Sequence, residues 1–151
     1  MPADILRQIG TIARSLDSLS NLEFKQIALT KGQYLYVVRI FENPGIIQER
    51  LAELLCVDTA TCSRALRNLV QKGLLEKKPD ATNRKIKHLV LTPAGKRLYP
   101  LLKRENRHST QVALTGLSAA ETAQLRQLLA KVSHNVVQDW QAVKKGHQRH
   151  Y

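Results

Sequence analysis

Apolar residues return at helical spacing from the start of the chain. Ile5, Ile9, Ile12, Leu16 and Leu19 lie three or four positions apart, which predicts an amphipathic helix over residues 4–19. Residues 20–29 lack a pattern and read as a connection. Thr30-Lys31-Gly32-Gln33 has the form of a capping box, with Thr30 as N-cap. The helix it starts should bury Tyr34, Val37, Val38 and Phe41, and Asn43-Pro44-Gly45 should end it. A short helix follows, with Leu51, Leu54 and Leu55 inward. The chain then turns near Cys56-Val57-Asp58, and Asp58 or Thr59 caps the next helix. That helix places Cys62, Leu66, Leu69 and Val70 on one face and stops at Gly73.

Beyond Gly73 the period becomes strand-like. "LLEKK" and "IKHLVL" flank the turn-rich "PDATNRK", predicting a β-hairpin. Thr92 and Pro93 cap and open another helix, expected to run to about residue 112. Ser118 and Glu121 form a second capping box. Leu125, Leu129, Val132, Val136, Trp140 and Val143 then extend one apolar stripe over about five turns. The expected fold is mainly α with a small β-hairpin wing. Both terminal helices carry apolar stripes that need a cover. Pairing with their copies in a second subunit supplies it, so a two-fold homodimer is predicted. Residues 1–29 and 105–151 are assigned to dimerisation and 30–104 to a helix-turn-helix with its hairpin.

Charge sharpens this picture. Twenty-four Lys and Arg against twelve Asp and Glu leave a net charge of +12. Nine of those net charges fall between residues 58 and 104, on the second helix of the pair, the hairpin and the start of the next helix. Such a balance selects polyanions, nucleic acid before an acidic membrane surface. No run of about eighteen apolar residues occurs, so no membrane span is expected. "MPADILRQIG" does not read as a signal peptide, and the two cysteines, Cys56 and Cys62, do not make a disulfide scaffold. A cytoplasmic setting is the resulting expectation.

The outer face of the helix over 59–72 presents Thr59, Thr61, Arg64, Arg67, Asn68 and Gln71. Hydroxyls near a helix N-terminus suit phosphates or base edges. Arg grips guanine with two donors, and Asn does the same for adenine. The hairpin adds Lys77, Lys78, Arg84, Lys85 and Lys87, cations suited to the minor groove or backbone. Helix and hairpin together are expected to straddle a phosphate backbone of double-stranded DNA.

At these residues the chain resembles the MarR-type regulators, a family of winged helix-turn-helix proteins. The likeness runs from "QERLAELLCVD" through "TATCSRALRNLVQKGLLEK" to "DATNRKIKHLVLTPAGK". Leu51-Ala52, Leu69 with Lys72-Gly73-Leu74, and Leu91-Thr92-Pro93-Ala94-Gly95 fall at the family's signature positions. Asn83 stands where the family generally has an Asp that orients the wing Arg. The resemblance implies a dimeric transcription regulator, a repressor at a palindromic operator. It carries the recognition contacts onto Thr59, Thr61, Arg64 and Arg67, and the wing contact onto Arg84. It also implies release by a small aromatic or phenolic effector that binds between the dimerisation helices and the winged domain, or response to oxidation or metals.

Other chemistry finds less support. Tyr34, Tyr36, Phe41 and Trp140 fit an effector pocket and core packing equally well. Cys56, placed in the turn, is the candidate redox sensor, whereas Cys62 reads as a small hydrophobe. Apart from the tail pair His147 and His150, the histidines lack metal-ligand spacing, and His88 is expected to face solvent or phosphate. No phosphate loop, nucleophile–base set or paired carboxylates point to an enzyme, and no cofactor is called for. A non-specific architectural role remains the alternative from a different class.

Overall fold

A computed structural model describes residues 3–151. The chain divides into two units, one running to Arg104 and the other spanning Glu105–Tyr151.

The first unit opens with helix α1 (Ala3–Glu23) and one 3-10 turn, η1 (Lys25–Ile27). The segment read as a connection is therefore largely ordered, because Ser20 and Phe24 are both drawn into the interior. Helix α2 (Gln33–Glu42) lacks the expected capping box. Gly32 takes the N-cap in the left-handed region and makes no side-chain cap. The Gln33 side chain is buried and instead accepts from Lys72 Nζ at 2.7 Å. The buried face of α2 is Gln33, Tyr36, Val37 and Ile40. Tyr34 and Val38 are half-buried, and Phe41 is exposed, its ring stacked on Tyr99 at 3.7 Å.

Strand β1 (Ile46–Ile47) leads into α3 (Gln48–Leu55), which buries Leu51 and Ala52 while Leu54 lies at the surface. Cys56 adopts a left-handed conformation with φ 53°, and the Val57 amide reaches back to Ala52 O at 3.0 Å, closing α3. Asp58 then caps α4 (Thr59–Gln71), accepting from the Thr61 amide at 2.7 Å. Helix α4 buries Cys62, Leu66 and Leu69 completely. Val70, expected inside, is 40% exposed. Gln48 Nε2 donates to Ser63 Oγ at 2.6 Å and pins α3 to α4.

Strands β2 (Leu75–Pro79) and β3 (Lys87–Leu91) form the predicted hairpin, and β1 adds a third antiparallel strand in the order β1-β3-β2. Leu75, Leu89 and Leu91 turn inward onto the core built from Phe24, Leu29, Val37, Ile40, Leu51, Leu66 and Leu69. Helix α5 (Pro93–Ala113) starts where Thr92 Oγ1 accepts from the Gly95 amide at 3.2 Å and donates to Gly73 O at 2.6 Å. Gly95 packs against backbone: a Cβ there would lie 2.2 Å from Leu74 O.

The second unit holds α6 (Ala119–Lys144), with the Ser118–Glu121 capping box complete. None of the 26 residues of α6 is buried. Among the described residues, no helix is long and apolar enough to cross a membrane.

Candidate nucleic-acid interface

The site is built from α4 outward. Its inner face is fixed by Cys62, Leu66 and Leu69, so residues on the opposite arc must face out. Arg64, Arg67, Asn68 and Gln71 stand at i, i+3, i+4 and i+7 on that arc, and all four are exposed. Thr59 is exposed in the first turn and Thr61 is half-buried. The positive end of the helix dipole also lies at this first turn, where Asp58 already takes the Thr61 amide. Five of the predicted contacts, with Gln71 beside them, thus form a surface with polar and cationic donors and an apolar back.

The wing tip rests on two nested turns. Asp80 accepts at Oδ2 from the Thr82 amide (3.1 Å), Thr82 Oγ1 (3.0 Å) and the Asn83 amide (3.0 Å). Asn83 Oδ1 accepts from the Lys85 amide at 3.0 Å, and the Ile86 amide returns to Asn83 O at 3.1 Å. Asn at the first position of such a turn is what its geometry prefers. Arg84 and Lys85 occupy the two central positions and are exposed. Among the described residues Arg84 has no ion-pair partner, so its guanidinium is available. Asn83, the departure from the family's Asp, still organises the turn that carries Arg84.

His88 is half-buried, its ring reaching solvent on one side while both nitrogens are engaged. Its Nδ1 lies 2.7 Å from Gly45 O and its Nε2 lies 2.7 Å from Asp80 Oδ1. The Asp80 hydrogen bond and then the Gly45 carbonyl raise its pKa above the ordinary 6.5. The His88 bond, helped by those from Thr82 and Asn83, holds the Asp80 carboxyl well below the usual carboxylate range. Sequence pattern offers no hint of this contact, although alternation does place His88 on the face opposite Leu89 and Leu91.

Lys72, at the end of α4, is exposed but engaged. Its Nζ donates to Gln33 Oε1 at 2.7 Å and also to Ala28 O. It therefore fixes the C-terminus of α4 to the segment before α2 instead of serving as a free cation.

Between α4 and β2 runs an open groove of about 470 Å³ lined by Arg67, Val70, Leu75, Lys77 and Pro79, among others. Val70 lines this groove, which accounts for its exposure. A second hollow, about 390 Å³, lies at Asn43, Pro44, Ile46, Arg50 and Leu54.

The proposed effector aromatics are engaged separately. Tyr34 packs on Phe24 with ring centroids 5.2 Å apart, and Phe41 stacks on Tyr99. Trp140 belongs to the second unit, where Lys144 Nζ lies 4.3 Å from its ring centroid. None of the three lines either hollow. Cys56 is exposed with Sγ 3.6 Å from Glu53 O, while burial raises the pKa of the Cys62 thiol, against thiolate reactivity. Among the described residues no three His, Cys, Asp or Glu side chains gather into a metal site.

Comparison with known proteins gives a consistent result. A sequence profile of the MarR family matches residues 29–87. The uncharacterised HTH-type transcriptional regulator YybA of Bacillus subtilis is 55% identical over 148 residues, covering 98% of this chain and 99% of that one. A MarR-family transcriptional regulator from Listeria monocytogenes, crystallised with a 26-mer DNA, is 52% identical with a TM-score of 0.94, each chain covered to 97%. A crystal structure of the transcriptional regulator SlyA gives 54% identity and a TM-score of 0.91, with 93% of this chain and 99% of that one covered.

Proposed function

The chain belongs to the MarR family of winged-helix transcription regulators, and from that premise we propose that it acts as a homodimer reading a near-palindromic operator in duplex DNA. In this reading α4 enters the major groove. Arg64, Arg67 and Asn68 meet base edges there, while Thr59 and Thr61 meet phosphates at the helix N-terminus. Arg84 and Lys85 reach the adjoining minor groove or backbone from the wing. The observation that carries the reading is the outward face of α4: Arg64, Arg67, Asn68 and Gln71, all exposed at one helical register behind a fully buried apolar stripe. The Listeria relative, crystallised with a 26-mer DNA, supports duplex as the ligand class.

The terminal helices supply the dimer. Helix α6 buries nothing over 26 residues and leaves Leu128, Leu129, Val136 and Val143 exposed. Helix α1 likewise exposes Ile5, Leu6, Ile12, Leu16, Leu19 and Leu22. Apolar stripes of that length call for a cover, and a second copy supplies matching ones. We assign α1 and residues 105–151 to this role, and residues 30–104 to DNA binding. A two-fold axis also repeats α4 at the spacing of successive major grooves, roughly 34–36 Å, which is why the operator should be palindromic.

Bound across a promoter, such a dimer represses. A small aromatic or phenolic acid is the effector class that the family resemblance favours for release. The competing reading is a non-specific binder, favoured by the net charge of +12. Selection from a random-sequence duplex pool decides between them. The operator reading predicts an enriched palindrome with half-sites about ten base pairs apart. A pool that stays random refutes it.

A further inference from the structure

We propose that His88 is the positioning residue of the wing, its doubly protonated ring tying the loop of Arg84 and Lys85 to the sheet, so that duplex affinity falls as pH rises through the His88 titration. The proposal rests on the reading that the wing contacts DNA.

The geometry requires the charge. Gly45 O and Asp80 Oδ1 are both acceptors, and each lies 2.7 Å from one ring nitrogen of His88. A neutral imidazole carries one N–H, so one of the two contacts would set lone pair against lone pair. Only the imidazolium donates to both.

Each partner is anchored differently. Gly45 belongs to the sheet corner: its amide donates to Leu89 O at 2.8 Å and its φ is 85°. Asp80 belongs to the loop, and its other oxygen gathers Thr82 and Asn83 into the turn that precedes Arg84. Through His88 the loop is therefore suspended from the β1 end of the sheet. With the ring neutral, one of the two ties is lost.

The charged surroundings are simple. Asp80 acts on the ring directly. Lys78 is the register partner of His88 on β2, and Lys87 precedes it on β3. Strand β1 offers Ile47 at the opposing register position. Near that corner, Glu42 of α2 is paired with Arg39 at 3.1 Å and Arg50 of α3 with Glu53 at 3.2 Å.

The sign follows from the raised pKa. The ring is protonated below its raised pKa, so the tie is present at low pH and is lost as pH rises through that value. Asp80, held low, stays a carboxylate throughout.

The test measures affinity of the dimer for its selected duplex from pH 6 to 8.5 at constant ionic strength. The free protein's His88 ring nitrogens are followed by NMR over the same range. Wild type should lose affinity roughly tenfold, the scale of one charge-assisted hydrogen bond. His88→Gln should give a flat profile near the wild-type alkaline value. Asp80→Asn keeps an acceptor for Thr82 and Asn83, and should move both the ring titration and the affinity loss to lower pH. This arm decides the matter if His88→Gln misfolds. A wild-type ring that titrates no higher than the ordinary 6.5, or an unchanged profile in the two variants, overturns the proposal while leaving the DNA reading intact. Wild type that prefers no duplex at any pH defeats the DNA reading, and this one with it.

Discussion

Replacing Gly95 by Ala should destabilise the protein, although the usual effect in a helix has the opposite sign. Gly95 lies in the first turn of α5. There Gly→Ala ordinarily gains about 1 kcal/mol, because Gly is the poorer helix former. Here the new Cβ would sit 2.2 Å from Leu74 O and 3.3 Å from Leu91 Cβ. An acceptable carbon–oxygen approach is about 3.3 Å. Helix and chain must therefore separate by about 1 Å, and the obstacle is backbone, which has no rotamer to escape into. Overpacking of this kind costs about 1–3 kcal/mol or more. Separation also stretches the Thr92 amide bond to Leu74 O (3.1 Å) and the Thr92 Oγ1 bond to Gly73 O (2.6 Å). Each such bond contributes about 1 kcal/mol net. The balance is a loss of roughly 2–3 kcal/mol, or a fall of about 5–10 °C in Tm. Urea unfolding followed by circular dichroism, at matched protomer concentration, reads it directly. A Gly95→Ala protein as stable as wild type would refute the close approach between α5 and the residue that joins α4 to β2.

Other expectations follow from single contacts. Lys72→Met should cost about 1–3 kcal/mol in the same urea assay, since it leaves buried Gln33 without its donor; an unchanged midpoint would mean the clamp contributes nothing. Arg84→Ala should weaken duplex binding by about 1–3 kcal/mol while stability stays within about 0.5 kcal/mol, and wild-type affinity would remove the wing from the interface. Arg64→Ala should relax the base preference at one position of each half-site; an identical selection logo would exclude it from base reading. Leu129→Glu with Val136→Glu should convert dimer to monomer in sedimentation, and an unaltered mass would place the dimer contact elsewhere.

Legibility in the sequence depends on whether a signal is local. Helix α4 is readable, with its Asp58 cap and its stripe of Cys62, Leu66 and Leu69, because capping and spacing lie within a few residues of each other. The hairpin and the Ser118 box are readable for the same reason. The buried face of α2 is misplaced by periodicity because residues 34–38, 40 and 41 are all apolar, which leaves nothing to choose between. Strand β1 has two residues, too few for any alternation. The Thr30 box fails because Gln33 is claimed by Lys72, 39 residues away. His88 escapes the pattern for a like reason: it meets Gly45 at a separation of 43 residues. The outward residues of α4 are legible as polar positions opposite a core. Those that hold the wing and α4 in place act across the fold and are not.

The central claim is that α4 and the wing read a defined sequence, twice over, in one dimer. Its most direct test is a competition for the purified protein at about 0.15 M salt between the selected palindrome and a scrambled duplex of equal length. Preference for the palindrome by on the order of a thousandfold, with affinity for both falling steeply as salt rises, is the predicted result. Equal affinity for the two duplexes would contradict it.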